Sequence, residues 1–283
     1  MQRCGAKTYN PVMHPQSTRT VLFVSVGLMI SIGIAVTNGQ PPVVHFHHVH
    51  INATDPAASM AFYAAKFDCE KAAGPDGKDA IRAQKSWILF NKVATQPPSE
   101  ILSAIWHMGW GAEDMPAAYQ KQLDSGTRFE TPLTDISDLV GLNPGKFYYA
   151  YVDGPNHELI ELNTASQHHF GHLHLLSADP IAAAEWYHQR LGLPISGRQE
   201  QKRMYKGFQV APSATVVADN VRIIIFPLEY ARTQWPSLWS TRKDFEPSAG
   251  RVIDHIAFSR EGGKTEMIEG PDHVRIELWS GKD

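Results

Sequence analysis

Cysteine is nearly absent from this 283-residue chain: only Cys4 and Cys69 occur. A disulfide framework is thereby excluded. If processing removes the N-terminal segment, Cys69 has no partner and the core alone must hold the fold, even in an oxidising compartment. Positive charge is not in excess either. The 26 Lys+Arg and 29 Asp+Glu give a net charge of −3, and all three charged residues of the first 39 positions are basic (Arg3, Lys7, Arg19). The remaining body is more acidic still, which argues against nucleic acid as a partner. Apolar content of 43% with 19% charged residues excludes a disordered chain.

Long apolar runs are missing with one exception. Residues 21–36 are sixteen uncharged, mostly apolar residues, preceded by a segment whose only charges are positive and followed by Thr37-Asn38-Gly39-Gln40-Pro41-Pro42. That order is the order of an export signal, and the run is shorter than the roughly 20 residues of a membrane span. Residues 1–39 are therefore expected to be an export signal and the protein to be exported, periplasmic or secreted. A retained membrane anchor formed by residues 21–36 is the alternative.

What the sequence does have is a recurring histidine unit. His48-Val49-His50 sits in a strand-like run, Asp55-Pro56 follows, and Phe62-Tyr63 lies in a helix-like run; His172-Leu173-His174, Asp179-Pro180 and Trp186-Tyr187 repeat the order. His107, Asp114 and Tyr119 make a looser copy. His48 to Asp55, His107 to Asp114 and His172 to Asp179 all keep a seven-residue step. Asp before Pro suits a helix N-cap with proline at the first helical position. Near the ends of two longer segments, Gly154-Pro155-Asn156-His157-Glu158-Leu159-Ile160-Glu161-Leu162 matches Gly270-Pro271-Asp272-His273-Val274-Arg275-Ile276-Glu277-Leu278. These copies predict two halves, 43–164 and 168–283, each of two strand–helix–strand–strand–strand units. The last unit is short: His107 to Glu161 spans 54 residues, His255 to Glu277 only 22.

Histidines on opening strands and a glutamate on a closing strand are the donor types of a metal site. In the first half, His48, His107 and Glu161 would form a two-His, one-carboxylate triad with open positions, suited to Fe(II), Mn(II) or Zn(II). In the second half, His172, His255 and Glu277 would form a second site. His50, two residues from His48 on the same strand face, and His174, Tyr149 and Tyr151 are candidates for catalysis or substrate binding. His45 and His47 have no assigned role.

These motifs resemble those of the vicinal oxygen chelate superfamily, which includes glyoxalase I, bleomycin resistance proteins and extradiol dioxygenases, and the resemblance covers nearly all of 43–283. It implies an α+β fold of paired βαβββ modules, with cupped mixed sheets around a divalent metal and the opening histidines and closing glutamate as ligands. Glyoxalase-type members take a further ligand from the last strand of the first module. Here that strand, Ser86 to Lys92, offers only Asn91. The resemblance thus implies a non-heme Fe(II) extradiol-type dioxygenase acting on a small oxygenated or aromatic compound, and the N-terminal run makes it an exported one. The alternatives are a glyoxalase-I-like lyase or isomerase with Ni(II) or Zn(II), and a non-enzymatic drug- or metabolite-binding protein. A small molecule is the expected partner, and a homo-oligomer is compatible with the resemblance.

Overall fold

The computed structural model describes residues 44–166 and 168–281. The expected export signal or anchor lies outside them. Among the described residues no helix is long and apolar enough to cross a membrane.

Four modules follow one another. The first is β1 (Val44–Ala53), α1 (Pro56–Lys66), β2 (Glu70–Ala73), β3 (Asp79–Ala83) and β4 (Ser86–Lys92). The second is β5 (Ile105–Ala112), α2 (Met115–Asp124), β6 (Phe129–Asp135), β7 (Tyr148–Asp153) and β8 (Leu159–Thr164). The third is β9 (Phe170–Ser177), α3 (Pro180–Leu191), β10 (Ile195–Tyr205), β11 (Phe208–Ala218) and β12 (Val221–Pro227), followed by α4 (Leu228–Gln234) and α5 (Pro236–Trp239). The fourth is only β13 (Ile253–Arg260), β14 (Glu266–Glu269) and β15 (Arg275–Trp279). It is short as expected: a turn through Gly262 and Gly263 stands where the other modules place a helix and a strand.

The aspartates explain why the helices begin where they do. Asp55, Asp114 and Asp179 each cap a helix by accepting backbone N–H groups, from Ala58, from Ala117, and from both Ile181 and Ala182. A following proline, which has no N–H to satisfy, occupies the first turn. Strands with a regular apolar face are legible in the sequence; β2, β6, β10 and β14 are not. In β10 the run Arg198-Gln199-Glu200-Gln201-Lys202-Arg203 is exposed along an edge, so no apolar alternation marks it. Residues 204–210 hold the end of β10, a tight turn with Lys206 and Gly207 both at positive φ, and the start of β11.

The sheets group the modules differently from the sequence halves. The described residues form one compact unit. One sheet runs β14-β15-β13-β1-β4-β3-β2, the other β10-β11-β12-β9-β5-β8-β7-β6. The first and fourth modules thus make a seven-stranded sheet, joined by antiparallel pairing of β1 with β13. The second and third make an eight-stranded sheet, joined by β5 with β9. The expected halves 43–164 and 168–283 divide the chain between β8 and β9, but each sheet draws on both halves. Val49, Ile51, Met108, Ile160, Leu173 and Ile256 are fully buried in one continuous core.

A buried polar contact links the modules. Tyr63 on α1 donates to Glu158 Oε1 at 2.6 Å, and Asn156 N donates to Glu158 Oε2 at 2.8 Å. In the matching place on α3, Tyr187 has no hydrogen-bond partner among the described residues, and Val274 stands where Glu158 does. Burial raises the Glu158 carboxyl, opposed by the Tyr63 hydrogen bond and the backbone donors. A carboxyl raised in the folded state favours folding while it is protonated, and that contribution is lost as pH rises through its folded pKa. Glu158→Gln should therefore flatten the dependence of melting temperature on pH above the ordinary glutamate range. Tyr63→Phe, which removes a donor and leaves the carboxyl buried, should cost about 1–3 kcal/mol by denaturant midpoint.

Candidate metal centre

Period-two geometry places alternate residues of a strand on one face, and the register lines those faces up across strands. In the eight-stranded sheet, Gly109 on β5 lies opposite His172 on β9 and opposite Glu161 on β8. Glu161 in turn lies opposite Tyr151 on β7. One step along, His107 pairs with His174. Four donors thus converge over Gly109: one ligand atom each from His107, Glu161, His172 and His174, all within 4.8 Å of one another. His107 Nε2 is 2.9 Å and His172 Nε2 3.6 Å from the Glu161 carboxylate.

Gly109 leaves room for the His172 imidazole as this sheet places it. An ideal Cβ there would fall 2.0 Å from His172 Cε1 and 2.2 Å from its Nε2, well inside van der Waals contact. The His172 imidazole lies over the bare backbone.

The donor chemistry fits a divalent ion. All four residues are buried. Both nitrogens of His107, Nε2 of His172 and Nδ1 of His174 are buried and make no hydrogen bond with any described residue. Buried polar atoms are nearly always satisfied, so an unpartnered nitrogen on each of three clustered imidazoles suggests an acceptor of lone pairs. Burial pushes the His107 and His174 imidazoles well below their usual range and His172 down to about 4. Neutral imidazole is the form that binds metal.

Glu161 and His174 form part of the floor of a cavity of about 390 Å³. Trp106, Tyr149, Tyr151, Phe226 and Tyr230 contribute aromatic walls. Tyr151 packs on His107 with ring centroids 5.0 Å apart, and burial followed by the Glu161 charge keeps its phenol far above the usual range. Tyr149 and Tyr151, expected near the site, are both there. Tyr230 is an addition that the sequence does not suggest, because it lies on α4 within a stretch that reads as a Trp- and Pro-rich loop.

The seven-stranded sheet carries a corresponding cluster. Ala257 on β13 pairs with His48 on β1 and with Glu277 on β15, and His255 pairs with His50. His48 Nε2 is 3.2 Å and His255 Nε2 3.3 Å from Glu277 Oε2, and the two nitrogens are 3.4 Å apart. An ion roughly 2.0–2.1 Å from each would match these separations. Ligand atoms of His48, His50 and His255 also lie within 4.8 Å of one another. Asp254 Oδ1 is 2.6 Å from His255 Nδ1 and accepts from Arg275 at 2.9 Å, so it fixes the imidazole orientation as outer carboxylates do in metal sites. Burial lowers His48 to about 3 and His50 to about 4; for His255 burial also lowers, but the Asp254 and Glu277 contacts outweigh it and the net shift is upward.

Both expected ligand sets are regrouped. The triad His48, His107 and Glu161 is not assembled: His107 and Glu161 join His172 and His174 in the eight-stranded sheet, while His48 belongs with His50, His255 and Glu277. The second set, His172, His255 and Glu277, is divided in the same way. The physical reason is the strand pairing, which sets β1 beside β13 and β5 beside β9. His50 and His174, expected as catalytic or substrate-binding candidates, stand among the donors. The shared His-x-His spacing on β1 and β9 carries that signal. Asn91 hydrogen-bonds Asn52 and is not among the clustered donors. His45 meets Asp219 at 2.8 Å, and His47 stacks on Trp279.

Residues 45–162 match the sequence model of the Glyoxalase/Bleomycin resistance protein/Dioxygenase superfamily. No curated protein matches the sequence. Among solved structures, glyoxalase I from Zea mays has a TM-score of 0.60 at 11% identity, covering 84% of this chain and 92% of that one. A putative dioxygenase from Bacillus subtilis has a TM-score of 0.56 at 12% identity, with coverages of 86% and 87%. These likenesses establish the shared fold.

Proposed function

We propose that this member of the glyoxalase/bleomycin resistance protein/dioxygenase superfamily is a divalent-metal-dependent enzyme acting on a small oxygenated compound in the eight-stranded cup. The observation that carries the reading is the convergence of three buried imidazoles and one carboxylate, two of whose members, Glu161 and His174, face an aromatic cavity. A bound divalent ion would supply Lewis-acid polarisation of substrate oxygens. The chain's own groups do the rest. Tyr151, kept as a phenol, can donate a hydrogen bond to a substrate oxygen; the aromatic walls orient a planar body and exclude water.

The donor count bears on the reaction type. Were His174 a fourth protein donor, a six-coordinate ion would be left two positions, enough for a bidentate substrate. Dioxygen alongside that substrate would need a third. We therefore place glyoxalase-like lyase or isomerase chemistry ahead of the Fe(II) extradiol-type dioxygenase, with Mn(II), Zn(II) or Ni(II) as suited as Fe(II). Elemental analysis of purified protein, before and after chelator treatment, tests the reading. Stoichiometric metal whose removal abolishes activity on 2-hydroxycarbonyl or vicinal-diol compounds supports it; purified protein that takes up no divalent metal contradicts it. Oxygen uptake on a catechol panel would restore the dioxygenase reading. Export belongs to the same proposal, supported by the sequence of residues 1–39, and mass spectrometry of the mature N-terminus checks it.

A further inference from the structure

The cross-strand row that carries the metal-type donors continues one strand further. Arg222 on β12 lies directly opposite His172 in the parallel register, so the row reads Arg222, His172, Gly109, Glu161, Tyr151 from β12 to β7. Neighbouring strands are about 4.8 Å apart, which sets the root of Arg222 about 10 Å from the Gly109 column over which the donors converge. Arg222 lines the cavity and is exposed to it. It makes no hydrogen bond or ion pair with any described residue.

The other cations of the cavity are engaged. Arg203 donates to Leu139 O at 2.9 Å, and Lys206 lies 3.7 Å from Asp138. Glu161 is the one carboxylate among the described lining residues, and it is committed to the donor cluster. A divalent ion with Glu161 as its one anionic protein donor would keep a net positive charge. The cup is then cationic at both its centre and its β12 side, with no anion of its own to balance Arg222.

The seven-stranded cup supplies an internal comparison. There the residue opposite His48 in the same parallel register is Trp87, and Arg82 stacks over that indole at 4.5 Å. Trp87 and Leu89 belong to a small buried apolar cluster. The free guanidinium is therefore not a requirement of the fold; it distinguishes one cup from the other.

We propose that the substrate of the eight-stranded cup is a planar, unsaturated monocarboxylate, and that Arg222 receives its carboxylate while the vicinal oxygens at its other end face the His107, Glu161, His172 and His174 cluster. This rests on the metal-site reading above. A guanidinium fork matches a carboxylate in two hydrogen bonds, and one free cation suits a single negative charge better than a phosphate dianion. A six-membered ring carrying both groups would span from the Arg222 side of the row to the Gly109 column.

Calorimetric titration of the full chain loaded with Mn(II) tests this, using 3,4-dihydroxybenzoate, catechol and phenyl phosphate as probes. Wild type should bind 3,4-dihydroxybenzoate at least about tenfold tighter than catechol, the size expected of hydrogen bonds to a charged group. Arg222→Ala should erase that preference and leave catechol affinity, Mn(II) content and melting temperature unchanged; Arg222→Lys should retain part of it. A preference that survives Arg222→Ala, equal binding of the two diols by wild type, binding of neither, or tighter binding of phenyl phosphate overturns the assignment. Failure of the metal reading is visible separately, as absence of bound Mn(II). In that case metal-free wild type and Arg222→Ala are compared with benzoate and benzyl alcohol, and an Arg222-dependent preference for benzoate keeps the carboxylate assignment while its loss removes it.

Discussion

Replacing His107 by alanine should lower the metal content from about two ions per chain to about one, because it empties the eight-stranded cup and leaves the seven-stranded cup intact. The double variants separate this grouping from the one expected along the chain. His107→Ala with His172→Ala should still retain about one ion, since both residues serve the cluster around Glu161. His48→Ala with His107→Ala should retain none, since His48 serves the cluster around Glu277. If His48 and His107 shared a centre, that second double variant would keep an ion. Metal per chain by elemental analysis, with circular dichroism as a check on folding, reads the difference directly. Removing a buried imidazole also leaves a cavity, so His107→Gln provides a less disruptive second route to the same count.

Gly109→Ala should be nearly as damaging to the eight-stranded cup although it removes no donor. The added methyl would meet the His172 ring at 2.0 Å. Either the imidazole rotates out of the cluster or the β5–β9 pairing opens. Overpacking of this kind costs about 1–3 kcal/mol, and displacement of one ligand should weaken metal binding in that cup by about 10- to 100-fold, the scale seen when ligand-supporting contacts are lost. The corresponding position in the other sheet is Ala257. Ala257→Gly should cost only about 0.5–1 kcal/mol and leave both metal counts unchanged. Denaturant melts and metal titration of the two variants, run side by side, would contradict this account if Gly109→Ala behaved like Ala257→Gly.

Much of the architecture is legible in the amino-acid sequence. The Asp-Pro helix starts, the opening-strand histidines and the two closing glutamates are local patterns, and each lies where the spacing puts it. Gly109 is not legible as a functional position. Its role comes from the strands on either side of it, and a glycine within a strand run says only that something approaches closely. Asp254 reads as part of an opening strand, and its hold on His255 depends on the rotamer of a neighbour. Arg222 looks like any cation in an apolar run, and only the strand register sets it beside His172.

The sequence by itself determined the α+β module, its four copies, the shortness of the last and the chemical identity of the donors, because each is written in a window of ten to sixty consecutive residues. Only the tertiary structure decided which modules share a sheet, and therefore which donors share a centre. The opening strands β1, β5, β9 and β13 are alike in pattern, so local preference cannot choose among their pairings. Connection length is a physical basis for the choice. Residues 165–169 are a short link that keeps β8 and β9 on either side of β5, whereas 93–104 and the long helical excursion before β13 let their modules part. A short loop restricts its ends to neighbouring positions and a long one adds little closure cost. The histidines thus announced a metal-type site, and the lengths of the links between them divided it into two.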